Sequence, residues 1–152
     1  MAEGSGGGLE FEALTERIIG AAIKVQRALG TGLLESAYEA CLAYELEEAG
    51  IPFKAQVPLE IHYRTLLIPN AYRMDLVVDD RVIVELKTVE KLLPVHDAQV
   101  MTYLKFHRKR LGLILNFWAW PLKEGGIKRV LNPEINPELP PLPSIPSPLP
   151  SA

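Results

Sequence analysis

Apolar positions recur with two different periods along this chain. Leu14, Ile18, Ala22, Val25 and Leu29 fall at helical spacing, which predicts an amphipathic helix from Leu9 to about Leu29, ended by Gly30-Thr31-Gly32. A second helix is predicted over about Leu33 to Ala49 and closed by Gly50 and Pro52. Extended segments follow: Phe53 to Tyr63, Leu66 to Ile68, a break at Pro69-Asn70, then the β-branched runs Tyr72–Val78 and Arg81–Lys87. Pro58 demotes part of the first of these to an edge or a bulge. A third helix is expected from Pro94 to Arg110. The run Leu111 to Phe117 is apolar without alternation, as suits a strand covered on both faces after a helical crossover. Gly125-Gly126 makes a turn before a last short strand, Ile127 to Leu131. The order is helix, helix, about three antiparallel strands, helix, strand: an α/β fold with a mixed central sheet flanked by helices.

Charge interrupts this pattern in one place. Asp75, Glu85 and Lys87 stand in the two β-branched runs where a buried strand would carry valine. Charges among core positions cost roughly several kcal/mol unless they are paired or hold a metal. Register sharpens the point. A two-residue loop at Asp79-Asp80 would set Asp75 opposite Val84. A longer loop, Asp79-Asp80-Arg81, sets Asp75 opposite Glu85. It also gathers Met74, Leu76, Val78, Val82, Val84 and Leu86 on one face, leaving Arg73, Asp75, Val77, Ile83, Glu85 and Lys87 on the other. A one-residue slip would scatter the apolar set, so the longer loop is preferred.

At 152 residues the chain is long enough for one domain with a real core. The expected organisation is a flexible leader at 1–8, a folded domain at 9–132 and a Pro-rich tail at 133–152. The leader has neither the basic region nor the apolar core of a signal peptide. The tail is read either as a loose solvated segment or as a docking peptide for a protein partner. No stretch approaches the apolar length of a membrane span, so no membrane association is expected. The single Cys41 excludes an internal disulfide framework and fits a reducing, cytoplasmic location. A net charge of −3 argues against a protein coated in positive charge, but local distribution decides whether nucleic acid can bind.

Asp75 and Glu85 could hold Mg²⁺ or Mn²⁺, hard cations that take carboxylate oxygens, with the Leu86 carbonyl as a further donor. Lys87 shares their face and could orient water or neutralise transition-state charge; alternatively the group is a structural ion-pair cluster with Arg73. Glu35 opens the second helix on the same face as Tyr38 and Leu42. It either looks inward or complements the helix N-terminus. Gln99 and Tyr103 form one polar stripe, which could touch a phosphate or be ordinary helix polarity with a half-buried tyrosine. Lys105, His107, Arg108, Lys109 and Arg110 suit a helix C-terminus or, with Lys123, Lys128 and Arg129, a phosphate-binding rim. Phe117, Trp118 and Trp120 read as packing residues or, if exposed, as stacking partners for a base. Cys41 receives no catalytic role, and no Ser-His-Asp set, phosphate loop or zinc spacing is present.

Gly32-Leu33-Leu34-Glu35-Ser36-Ala37-Tyr38 fits Gly-x-x-Glu-x-x-Tyr. With Tyr72–Leu76, Val84-Glu85-Leu86-Lys87, His96–Gln99 with Tyr103, and Leu111–Phe117, the chain closely resembles the GxxExxY proteins of the PD-(D/E)XK nuclease superfamily, over about Leu14 to Leu131. The resemblance implies a restriction-endonuclease-like α-β-β-β-α-β core with an extra N-terminal helix. It also implies that Asp75 and Glu85 are the metal ligands, with Lys87, Glu35, Gln99 and Tyr103 catalytic. Met74 stands where the superfamily's name has a proline, and Asn70-Ala71 precede Tyr72 where relatives often have glycine. The expected function is Mg²⁺- or Mn²⁺-dependent phosphodiester hydrolysis in nucleic acid, DNA first, with a homodimer favoured for double-strand cutting. The competing expectation is a non-catalytic nucleic-acid- or protein-binding module on the same fold.

Overall fold

The computed structural model describes residues 2–135, and side chains from residue 12 onward. The Pro-rich tail therefore lies outside the described residues beyond residue 135. Eight elements follow one another: α1 (Ala2–Leu29), α2 (Glu35–Glu48), β1 (Phe53–Tyr63), β2 (Leu66–Val78), β3 (Val82–Lys87), α3 (Pro94–His107), β4 (Leu111–Asn116) and β5 (Ile127–Leu131). The strands form one five-stranded sheet in the order β1-β2-β3-β4-β5. All neighbours run antiparallel except β3 and β4, which are parallel and joined through α3. This is the mixed α/β sheet with flanking helices expected from the sequence, and it is consistent with a restriction-endonuclease-like fold.

Two cores sandwich the sheet. On one face α1 brings Leu14, Ile18, Ala22 and Val25, and α2 brings Tyr38, Leu42 and Leu46, onto Leu76, Val78, Val82, Val84, Leu86, Leu113 and Leu115. On the other face α3 brings Val100, Tyr103 and Leu104 onto Val77, Ile83 and Ile114. Strands β3 and β4 are buried on both faces, which is why their sequences run apolar without alternation. Gly112 lets α3 approach β4 closely: a Cβ there would meet Val100 Cγ1 at 2.7 Å.

Four expectations about elements need correction. First, α1 begins at Ala2, ahead of the predicted Leu9. This stretch carries no apolar stripe, and Gly4, Gly6, Gly7 and Gly8 are poor helix formers, so neither periodicity nor propensity marks it as helix. Second, α3 ends at His107 and not Arg110, because Arg108 adopts the left-handed conformation at its C-cap, φ 58°. Third, Pro69-Asn70 does not end a strand. Leu59 pairs with Tyr72 but Ile61 pairs with Ile68, so Pro69-Asn70-Ala71 oppose Glu60 alone. The break is absorbed as a bulge inside β2, with Asn70 at φ 54°.

The fourth correction concerns Met74. The three-residue loop Asp79-Asp80-Arg81 is present, with Val78 opposite Val82, Val77 opposite Ile83 and Leu76 opposite Val84. Yet Met74 belongs to the core under α3, not to the one that holds Leu76 and Val78. Ala55 pairs with Leu76 and Val57 with Met74, so Gln56 and Asp75 face each other between them. Gln56 sits at φ 52°, left-handed in the middle of a strand. That conformation breaks the two-residue alternation of the pleat. Both strands change face there: Phe53 packs on the helix-pair side, Val57 and Leu59 on the α3 side.

Candidate active site

The face change in β2 has a chemical consequence. The β2–β3 ladder stops at Leu76 and Val84. One residue further along, Asp75 extends its carboxylate across the gap, and Oδ2 accepts the backbone N–H of Leu86 at 2.9 Å. A side chain thus takes the place of the next strand acceptor. It is held beside Glu85 and Lys87, where Lys87 Nζ stands 3.8 Å from Glu85 Oε2. The three charged residues singled out from the sequence therefore meet at one end of β3.

Glu85 is only 5 % exposed, and its Oε1 is buried with no hydrogen-bond partner. An ionised carboxylate in that position is costly. Burial first, then repulsion from Asp75, pushes its pKa up to about 8, against the opposing pull of Lys87. Oxygen donors of this kind suit a hard divalent cation, and an orphaned acceptor leaves one ready to be used. Among the described residues, no group of three or more His, Cys, Asp or Glu side chains is close enough together to cage an ion by itself. The donor set fits a cation that keeps water and substrate oxygens in its shell, as Mg²⁺ usually does.

Tyr103 and Gln99 reach the same place from α3. Gln99 Nε2 donates to Tyr103 Oη at 2.7 Å. Tyr103 is fully buried rather than half-buried, in tilted contact with Tyr72 at 5.8 Å between ring centroids. Burial foremost, and then the charges of Glu85 and Asp75, raise its pKa far above the ordinary tyrosine value, so it stays a neutral phenol. Glu35 comes from the opposite side of the sheet. It is exposed at the start of α2, and its Oε2 accepts the N–H of Thr88 at 3.1 Å, just past Lys87. Its neighbour in the motif, Tyr38, is structural. Tyr38 stacks on Phe117 with centroids 4.4 Å apart, donates to the Gly30 carbonyl and accepts from the Leu33 N–H, pinning the turn between α1 and α2.

Three residues at this end escaped the sequence reading. Glu39, one turn after Glu35, accepts from Gln56 Nε2 at 2.6 Å, and the same amide lies 3.4 Å from Asp75 Oδ1. Burial, reinforced by Asp75, raises the Glu39 pKa. A signal for it existed: acids at i and i+4 on one helix repel, which needs a reason. Nothing in the sequence marks Gln56, a polar residue on an edge strand. Asn116, 3 % exposed, ties down the loop after Lys87: Oδ1 accepts from Val89 N–H and Nδ2 donates to the Val89 carbonyl.

The basic cluster at the end of α3 does not join this site. It lies at the start of β4, the end of the sheet away from Lys87, and Lys109 is paired with Asp80 at 3.0 Å. Lys128 pairs with Asp97. Arg73 donates to the Gln56 carbonyl rather than to Asp75 or Glu85, so the four-membered ion-pair cluster is not formed. Among the described residues, no helix is long and apolar enough to cross a membrane.

A family model for the PD-(D/E)XK nuclease superfamily matches residues 12–130. No curated protein and no solved structure matches. The chain belongs to the PD-(D/E)XK nuclease superfamily.

Proposed function

We propose, from membership of that superfamily, that this chain is a divalent-metal-dependent nuclease that hydrolyses phosphodiester bonds, in DNA first. Its motifs resemble those of the GxxExxY proteins. One observation carries the reading: the buried Glu85 carboxylate, with an unpartnered oxygen, beside Asp75 and Lys87. A buried oxygen without a protein partner is a place for a ligand atom, and strongly perturbed carboxylates gather at functional sites.

Asp75 and Glu85 would hold Mg²⁺ or Mn²⁺, which would supply Lewis-acid stabilisation of the phosphoryl oxygens and a more acidic water. The remaining work falls to the chain's own residues. Lys87, fixed by the Glu85 carboxylate, orients the attacking water and offsets negative charge as it develops. Tyr103, kept as a phenol and aligned by Gln99, is a hydrogen-bond donor for a phosphate oxygen. Glu35 holds the Thr88 backbone and presents a second, solvated carboxylate for water.

The test is a panel of linear and branched DNA with Mg²⁺ or Mn²⁺. Asp75→Ala also strips Leu86 of its amide partner, so Asp75→Asn is the companion variant, which keeps an oxygen acceptor. Both are expected to lose cleavage by more than about a hundredfold, with Asp75→Asn keeping the native melting temperature. Undiminished cleavage in a folded Asp75→Asn protein would remove this mechanism. Wild-type protein that neither cleaves nor gains thermal stability with either metal would favour a binding module on the same fold.

A further inference from the structure

Strands β3 and β4 are parallel, so their C-terminal ends lie side by side, Lys87 against Asn116. The segment that follows β4 therefore emerges beside the candidate active site. Its first residue, Phe117, is buried, stacks on Tyr38, and donates its N–H to the Lys87 carbonyl at 2.8 Å. The next two aromatics behave differently: Trp118 is 45 % exposed and Trp120 60 % exposed.

This exposure is not slack. Gln26 of α1, itself 2 % exposed, reaches under the loop. Its Nε2 donates to the carbonyls of Phe117 at 3.0 Å and Ala119 at 2.6 Å, and its Oε1 accepts the Leu122 N–H at 2.7 Å. Asn116 Oδ1 also accepts the Trp118 N–H at 3.3 Å. A buried glutamine spent wholly on backbone pins the segment that carries two exposed indoles. Lys123 lies on the same loop, and Lys91 lies on the loop after β3, two residues past the Val89 that Asn116 holds. Both are exposed, and among the described residues neither has a carboxylate partner.

We propose that Trp118 and Trp120 form a stacking platform for unpaired bases, with Lys91 and Lys123 taking the phosphates, so that the substrate is a single-stranded or frayed nucleic acid. The inference rests on the nuclease reading for what happens to the bound strand. Base faces are covered inside a duplex, and an indole can stack only on a base that has left the pair or ends the helix. A rigid aromatic platform loses little conformational entropy on binding, and unpaired lysines gain from the phosphate backbone.

Trp118 and Trp120 are the only tryptophans of the chain, so fluorescence excited selectively at tryptophan, beyond the absorption of the tyrosines, reads this surface alone. The full chain with Asp75→Asn, in buffer with chelator, is titrated with oligothymidylate of about 16 nucleotides and with a blunt duplex of equal length. Quenching by the oligothymidylate is expected, weakening as salt rises, with little by the duplex. Anisotropy of a labelled strand should show roughly tenfold weaker binding for W118A and again for W120A. Both are exposed and leave the Gln26 backbone contacts in place. In the wild-type background the same variants should raise KM on single strands and spare kcat.

Equal affinity for strand and duplex, or unchanged binding by W118A and W120A, overturns the proposal. So does a chain that ignores the oligomer but self-associates through these tryptophans, because the platform is then a protein interface. Quenching without cleavage by any metal would sink the nuclease reading and leave the platform standing. Cleavage of single strands untouched by the tryptophan variants would do the reverse.

Discussion

At the scale of single residues, burial and charge oppose each other most strongly at Glu85. Its carboxyl titrates near 8 in the fold against an ordinary value of 4.5. Between those two values the folded chain holds a proton that the unfolded chain has released. Stability from this group is therefore greatest below about pH 4.5, falls as pH rises through the window, and is level again above about pH 8. Glu85→Gln removes the charge and keeps the shape. In the metal-free protein it is expected to raise the melting temperature at pH 9 by roughly 5 °C and to change little at pH 5, as a pH series of thermal melts would show. A melting temperature no higher than wild type at pH 9 would mean that Glu85 is not strained by its surroundings.

Elements decide which side chains can meet, and here the reach and the limits of the sequence are both visible. The register of β2 on β3 was legible because only one loop length keeps Leu76, Val78, Val82 and Val84 together. The meeting of Asp75, Glu85 and Lys87 followed from it. Met74 was not legible, because the alternation it obeys is reset by Gln56, and a left-handed residue inside a strand leaves no trace in polarity. Glu39 was missed because helix spacing alone does not say which turn of α2 faces the bent strand. The bulge at Pro69-Asn70 was seen as a break, since proline and asparagine signal both. Asn116 shows what a sequence hides most: a polar residue ending an apolar strand, whose side chain organises the loop after Lys87. Asn116→Ala leaves the Val89 N–H and carbonyl without partners. It is expected to cost about 1–3 kcal/mol in urea unfolding. If that cost is absent, the loop is held by something else.

Over the whole molecule, the two ends of the sheet titrate in opposite senses. At the end away from Glu85, burial first, with help from Lys109 and Lys54, lowers the pKa of His107 despite the nearby Asp80. The unfolded chain then binds more protons below the ordinary value of 6.5, so stability from this group is lost as pH falls below 6.5. The groups share no partner, so their effects should add. His107→Gln is expected to flatten the acid side of the stability profile and leave the slope between pH 7 and 8 unchanged. Glu85→Gln should remove a decline that runs from about pH 4.5 to about pH 8, flattening the slope between pH 7 and 8 and steepening the rise on the acid side where the two ranges overlap. The double variant should match the sum within about 0.5 kcal/mol. Non-additivity beyond that would mean the sheet couples its two ends. Burial is the first cause at both ends, so the net charge of −3 says nothing of this division.

Asp75 serves two masters, the backbone of β3 and any chemistry at its end. A descendant that abandoned hydrolysis would still need an acceptor for Leu86, and would be slow to surrender the acid. Lys87 carries no such backbone duty. In comparing kindred sequences, an aspartate kept at this position is thus poor testimony for a living enzyme. A lysine kept two places after the glutamate is the better witness.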